Sequence, residues 1–417
     1  MAEAIQADVA IIGAGVVGLG IAHQVRVSGR SVVLIDPRPA GGATFAAAGM
    51  LAPVSELHYQ EEDLLELMLE SSKLWPAFVQ GLPGSVPESG YRTTSTLAVG
   101  ADAADRRALA DLRSAQLAAG LDVEPLLLRQ AREREPLLSP QISCAFDIPA
   151  DHQVDPRRLA SRILAGLGAH TNDDATWVPG AREGFHLAEP ASRLVWDNQR
   201  VVGAELGSGQ VVMAAETIVA NGLGAAALGS LPEGLELPLR PVYGDILRLR
   251  VPDGLRPLVT STVRGIVRGV PVYIVPREDG TVVIGATQRE DALSSGSNAV
   301  SAGGVYQLLR DAQVLVPAVA ELELLEATAR ARPGTPDNAP LLGRVAGLDG
   351  DVQGLVIATG FFRHGVLLTP VAAAIVGSLI SGRAEARWAR FRPDRFQNTA
   401  SARHSSSTTN VRSKETA

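Results

Sequence analysis

The 417-residue sequence has one cysteine, Cys144, and two lysines, Lys73 and Lys414. A lone cysteine closes no intrachain disulfide and excludes zinc or iron–sulfur centres built on cysteine clusters. It reads as a buried small hydrophobe rather than a reactive thiol. The formal net charge is -7, and arginine carries nearly all the positive charge. No basic footprint for nucleic acid or an anionic membrane follows from that balance. The motifs H-E-x-x-H and G-x-S-x-G are absent, so neither a zinc-protease site nor a serine nucleophile elbow is expected. The most apolar late stretch, residues 366–380, is interrupted by Thr369, Pro370 and Ser378. It is shorter than the ~20 residues of a membrane span. Residues 1–7 carry Glu3 and no basic region, unlike a signal peptide. Together these absences predict a cytoplasmic protein with no metal, no nucleic-acid partner and no membrane partner.

What is present is an ordinary globular balance, 46% hydrophobic and 20% charged, on a chain long enough for two domains. Residues 7–12 form a β-rich apolar run. A helical pattern follows to residue 27 and Gly29 stops it; residues 31–36 then return to a strand ending in an acid. This is the opening of a βαβ unit. Helices are predicted at 61–81, 105–120, 155–168 and 302–316. Strands are predicted at 193–196, 201–206, 211–213, 217–220, 245–250, 269–275, 281–285 and 355–358. A last helix, 369–380, takes Thr369 as N-cap and Pro370 at its first position, with Gly382 closing it. Residues 398–417 are Ser/Thr-rich without apolar periodicity and are expected to be disordered. No internal repeat is visible.

Gly13-Ala14-Gly15-Val16-Val17-Gly18 is a G-x-G-x-x-G placed between a strand and a helix. Gly13 permits the tight turn, Gly15 lets backbone approach a pyrophosphate, and Gly18 lets helix and strand pack closely. The helix N-terminus offers unpaired amides to the phosphates. Asp36 ends the second strand, where a carboxylate takes a ribose hydroxyl and disfavours a 2′-phosphate. The fingerprint alone does not separate FAD from NAD. The next segment, Gly41 to Pro53, is small, apolar and nearly uncharged, so its backbone can lie flat on a large planar ligand. Thr44 within it is positioned to bond a phosphate.

With G-A-G-V-V-G, the acid at strand two and A-T-x-A-A-A-G-M-L-A-P in that order, the sequence resembles the FAD-dependent D-amino-acid oxidase superfamily. Within it, the glycine oxidases of the thiamine pathway are most similar. Further matching stretches are D-H-Q-V-D-P-R at 151–157, Y-I-V-P-R at 273–277, G-A-T at 285–287, R-P-G-T-P-D at 332–337 and F-R-H-G-V-L-L at 362–368. The resemblance implies an α/β fold: a Rossmann-like FAD-binding domain built from separated segments (1–85, 150–225 and 325–398), with an inserted antiparallel-sheet substrate domain (86–149 and 226–324) and a tail at 399–417. It implies non-covalent FAD lined by Gly13, Gly15, Val16, Val17, Gly18, Asp36, Pro37, Ala43, Thr44, Ala48, Gly49 and Met50. At the far end the cofactor meets Phe361, Phe362, Arg363, His364, Gly365, Val366 and Leu367. Arg332 matches the arginine that holds the substrate carboxylate, Tyr273 a substrate-side tyrosine and Arg363 a second residue near the substrate. Gln288 and Met50 complete the substrate side. Departures from the family pattern are Asn221 within Ala220-Asn221-Gly222, Pro271 for a polar residue, Gln288 for an apolar one, and Phe361 where histidine is common.

Flavin-linked amine oxidation needs position and charge from the protein, because the cofactor supplies the electronics. A guanidinium fixes a carboxylate bidentately, and Arg332 stands before a proline that favours extended backbone. The hydroxyl of Tyr273 suits the same carboxylate, although a satisfied core tyrosine explains it almost as well. His152 reads as structural. The activity implied is oxidation of glycine, sarcosine or small D-amino acids with O2 as acceptor, the imine passing to thiazole assembly. A homotetramer is the implied assembly. A sarcosine oxidase, a D-amino-acid dehydrogenase with another acceptor, and a flavin-binding protein without turnover stay open.

Overall fold

The computed structural model describes residues 4–168, 185–290 and 298–397. Two eight-stranded sheets organise them.

The first sheet grows from Ile5–Ile12, which pairs in parallel with Val32–Ile35 on one side and Val211–Val219 on the other. Phe185–Leu187 extends one edge and Leu355–Thr359 the other, both in parallel. Leu341–Gly343 pairs antiparallel beyond Leu355–Thr359. Arg200–Leu206 and Ala191–Asp197 add an antiparallel arm. Both faces of this sheet are covered, as parallel sheets require. Val9 and Ile11 pack into one core with the helices Val16–Val27, Glu62–Gln80, Pro156–Gly166 and Thr369–Leu379. Ala10 and Ile12 point into a second core on the opposite face. The helices Val16–Val27 and Thr369–Leu379 meet where a Cβ on Gly20 would come within 2.4 Å of Thr369.

The second sheet runs Glu323–Gly334, Arg240–Arg250, Thr281–Gly285, Val270–Pro276, Thr262–Val267, Thr96–Gly100, Cys144–Ile148 and Glu124–Leu126. It is antiparallel except where Thr262–Val267 pairs in parallel with Thr96–Gly100. Its core lies under the helix Ala302–Leu315. Cys144 is half-buried and free, and burial pushes its thiol pKa up.

Several expectations change. Residues 211–213 and 217–220 belong to one strand, Val211–Val219. The strands at 96–100, 124–126, 144–148 and 262–267 were not expected. Glu323–Gly334 starts before residue 325, where the last nucleotide-binding segment was placed. It pairs along its length with Arg240–Arg250 in the second sheet. Thr369 is not the N-cap of the last helix. Leu368 holds that position, and the Thr369 hydroxyl donates to the Gly365 carbonyl at 2.8 Å inside the first turn. Residues 398–417 lie outside the described residues. Among those described, no helix is long and apolar enough to cross a membrane, and no group of three or more His, Cys, Asp or Glu is placed to hold a metal.

Candidate active site

One cleft of about 620 Å³ runs between the two sheets, within the ~300–1,000 Å³ usual for small-molecule sites. Its nucleotide end is built at the C-terminal ends of Ile5–Ile12 and Val32–Ile35. Gly13 sits at φ +103°, and a Cβ there would lie 2.5 Å from the Ala220 backbone. A Cβ on Gly18 would lie 2.0 Å from the Gly13 carbonyl oxygen. A Cβ on Gly15 would lie 3.5 Å from the Thr44 hydroxyl, an ordinary contact, and Gly15 lines the cleft. Gly13 and Gly18 thus sit where a side chain would collide with backbone. Gly18→Ala is expected to push the helix off its strand and to yield protein with at most a few per cent of its flavin. The absorbance ratio of flavin to protein after purification reads this directly, and full flavin content would refute the close-packing role.

Asp36 holds the turn above these glycines. One carboxylate oxygen accepts from the Ala14 amide at 2.7 Å and the other from the Arg38 amide at 2.7 Å. Thr44 accepts from the Val16 amide at 3.0 Å, so its hydroxyl sits on the helix N-terminus, where an anion is favoured. Val16, Val17, Asp36, Ala43, Thr44, Ala48, Gly49 and Met50 line the cleft, as do all seven residues from Phe361 to Leu367. Gly13 and Gly18 support the lining from beneath, and Pro37 is exposed outside it. The far loop is held by the helix Glu62–Gln80: Ser71 and Trp75 both donate to the Leu367 carbonyl, at 2.6 and 2.9 Å. An elongated cleft with a glycine cradle, a carboxylate at the second strand and small residues between fits FAD.

The opposite end of the cleft is charged. Arg332 lies on Glu323–Gly334 across from Val242, and its guanidinium reaches over Gly244, where a Cβ would lie 2.3 Å from it. Among the described residues it makes no hydrogen bond and no ion pair, unlike the other arginines of the lining. Arg240 meets Glu290 and Asn338, Arg264 meets Glu56, Arg330 meets the Gly41 and Ala329 carbonyls, and Arg363 meets Glu56 and Glu61. Tyr273 and Gln288 also line this end. Burial pushes the Tyr273 phenol up to about 12, so it stays a neutral donor at neutral pH.

Arg363, expected beside the substrate, lines the cleft with its guanidinium already engaged by two carboxylates. Burial opposes ionisation of Glu56, but Arg264 and Arg363 outweigh it and hold its carboxyl down to about 2. His364 is buried with an unpartnered Nε2, and burial lowers it to about 3, leaving it neutral. Sequence reasoning missed Glu56, Glu61 and Arg264. Only Arg264 carries a local signal, as a charge inside the buried alternation of Thr262–Val267.

A two-sheet molecule with a dinucleotide cradle at one end of its cleft and an unengaged guanidinium at the other is a flavin-dependent oxidoreductase by architecture. The chain belongs to the DAO family of FAD dependent oxidoreductases, whose model it matches over residues 8–379. It is 30% identical over 384 residues to the glycine oxidase of Geobacillus kaustophilus, a match covering 89% of this chain and 92% of that protein. It is 29% identical over 399 residues to the bifunctional protein ThiO/ThiG of Trichormus variabilis, covering 94% of this chain and 56% of that one. The chain thus spans about half the length of the bifunctional relatives it matches. The crystal structure of the Geobacillus kaustophilus glycine oxidase superposes with a TM-score of 0.80 at 28% identity, covering 94% of this chain and 99% of that one. That of iminodiacetate oxidase from Chelativorans sp. BNC1 gives 0.78 at 26%, covering 92% and 98%.

Proposed function

We propose that this protein oxidises glycine, and with it sarcosine or small D-amino acids, to the imine while O2 is reduced to H2O2. The carrying observation is the unengaged guanidinium of Arg332 facing the cleft. A site that stores a half-buried arginine without a carboxylate awaits one from its ligand. Arg332 takes the substrate carboxylate as a fork, and the neutral Tyr273 phenol donates to the same group. Arg264 and Arg363 are neutralised by Glu56 and Glu61, whereas Arg330 and Arg332 have no carboxylate partner among the described residues, so the cleft presents net positive charge to a monocarboxylate. Bound FAD supplies the acceptor for a hydride equivalent from Cα. The ammonium first releases a proton to water, and no side chain is assigned as base. The amine loses two electrons and two protons in all, and O2 takes both pairs. Similarity to proteins named glycine oxidase and ThiO/ThiG supports glycine as substrate and thiazole synthesis as the destination of its imine. Family likeness also favours a homo-oligomer, with a tetramer as the expected assembly.

The test is anaerobic mixing of the yellow protein with glycine, sarcosine, D-alanine and D-proline in turn, read at the flavin band near about 450 nm. Bleaching by glycine that air reverses, with H2O2 released, is the expected result. Bleaching that air does not reverse assigns a dehydrogenase with another acceptor. No bleaching by any of the four removes the amino-acid reading and leaves a flavin holder without turnover.

A further inference from the structure

The cleft is lined on one side by the segment from Ala43 to Met50. It opens with the one-turn helix Ala43–Ala46, after which Ala47 turns out of helical geometry at ψ 139°, and it ends at the two-residue strand Met50–Leu51. A helix that stops after one turn leaves its last carbonyls without amide donors. Here the donors are arginines from elsewhere in the fold. Arg157 Nε donates to the Phe45 carbonyl at 2.8 Å. Arg248 Nη2 reaches the Phe45 and Ala47 carbonyls at 3.3 and 3.4 Å. Arg277 Nη2 donates to the Ala48 carbonyl, while its Nη1 reaches the Val154 carbonyl at 3.1 Å. The Phe45 ring turns away from the cleft and lies 3.6 Å under the Arg157 guanidinium.

The charges behind the segment are only partly balanced. Arg157 has a bidentate pair with Glu326 at 2.7 and 3.0 Å, and Arg277 has Asp155 at 3.7 Å. Arg248 makes no ion pair among the described residues, and its Nε is buried without an acceptor. Burying cations this way is costly unless they do something a neutral side chain cannot. What they do here is hold the carbonyls of Phe45, Ala47 and Ala48: Arg157 takes one, Arg248 two, and Arg277 ties the third to the Val154 carbonyl. Arg248 lies on Arg240–Arg250, and Arg277 directly follows Val270–Pro276, so both come from the second sheet.

We propose that Arg157, Arg248 and Arg277 are positioning residues for the flavin-lining segment, so that full affinity for FAD requires the second sheet to be docked against it. None of the three lines the cleft, and together they act through the carbonyls of Phe45, Ala47 and Ala48.

The test separates the flavin half of the cofactor from its nucleotide half. ADP engages only the fingerprint end of the cleft. In Arg277→Gln and Arg248→Gln, FAD affinity is expected to fall by ~10- to 100-fold, the size of a lost charged hydrogen bond. ADP affinity is expected to stay within ~3-fold, since its contacts are untouched. FAD is read by fluorescence released on dilution of the holoenzyme and ADP by calorimetry on the flavin-stripped protein, with circular dichroism checking the fold. Arg277→Lys keeps the charge but not the fork, and should recover part of the FAD affinity. If Arg277→Gln does not fold, Arg248→Gln carries the comparison, since that side chain touches only carbonyls. Equal loss of FAD and ADP affinity overturns the proposal in favour of a general structural role, and unchanged FAD affinity overturns it outright.

Discussion

Arg332→Ala is expected to leave FAD bound and to lower kcat/KM for the amino-acid substrate by about a thousandfold. That factor is ~4 kcal/mol, the combined size of two charge-assisted hydrogen bonds at ~1.5–3 kcal/mol each. The reasoning is local. Arg332 has no ion pair to lose, so truncating it strands no carboxylate. Its strand is secured by backbone pairing with Arg240–Arg250. Gly244, which lies under its guanidinium, would gain space rather than a clash. Arg332→Lys should recover only part of the loss, because an ammonium is a point charge where a fork is needed. Steady-state kinetics together with the flavin-to-protein absorbance ratio decide the matter. Unchanged kinetics would remove Arg332 from the substrate site, and lost flavin would make it a structural residue.

Glu56→Gln is the second large effect, and it is one of stability. Glu56 is shared by Arg264 and Arg363 at the closed end of the cleft, with its side chain 14% exposed and theirs 17%. Removing the carboxylate leaves two buried guanidinium groups with only Glu61 between them. Breaking a buried pair costs ~3–5 kcal/mol, and the surviving Glu61 contact puts this case near ~3. The same contacts imply a pH dependence of similar size. The folded carboxyl sits at about 2 against an ordinary 4.5, and a difference of that size is worth ~3 kcal/mol. A depressed carboxyl stabilises the fold above pH 4.5 and loses that contribution as pH falls toward 2. The wild-type protein should therefore lose more Tm than Glu56→Gln across that acid window, and the two curves should run parallel above it. A variant as stable as wild type at pH 7 would show that the cluster carries no net stabilisation.

The nucleotide end of this site was legible because its signals are local. Three glycines and an acid within 24 residues (Gly13 to Asp36) carry the geometry by spacing alone. The charged end was legible only in part. Arg332 and Tyr273 came from resemblance, whereas Glu56 meets Arg264 at a separation of 208 residues and Arg363 at 307. No periodicity encodes such a pair. The strand Glu323–Gly334 escaped for a different reason. Glu326, Thr328, Arg330 and Arg332 alternate along one face, and that face is turned toward the cleft and the flavin-lining segment rather than solvent. A polar face aimed inward has the pattern of a surface strand or loop. Thr369 before Pro370 has the composition of a helix start, but its hydroxyl found the Gly365 carbonyl one turn back, and the helix began a residue earlier than that composition implies.

The strand Ile5–Ile12 has its inner neighbour in Val211–Val219, and Gly13 rests against Ala220. In time rather than space, this is a delay. The fingerprint leaves the ribosome early, but the residue that seats it follows 207 positions later (220 minus 13). At ~5–20 residues per second that interval is ~10–40 s, during which the strand has Val32–Ile35 on one side and an open edge on the other. Closing so long a loop is also a slow step in refolding. Cofactor capture is thus a late event in the life of the chain, and cellular FAD meets a nearly finished protein rather than a nascent one.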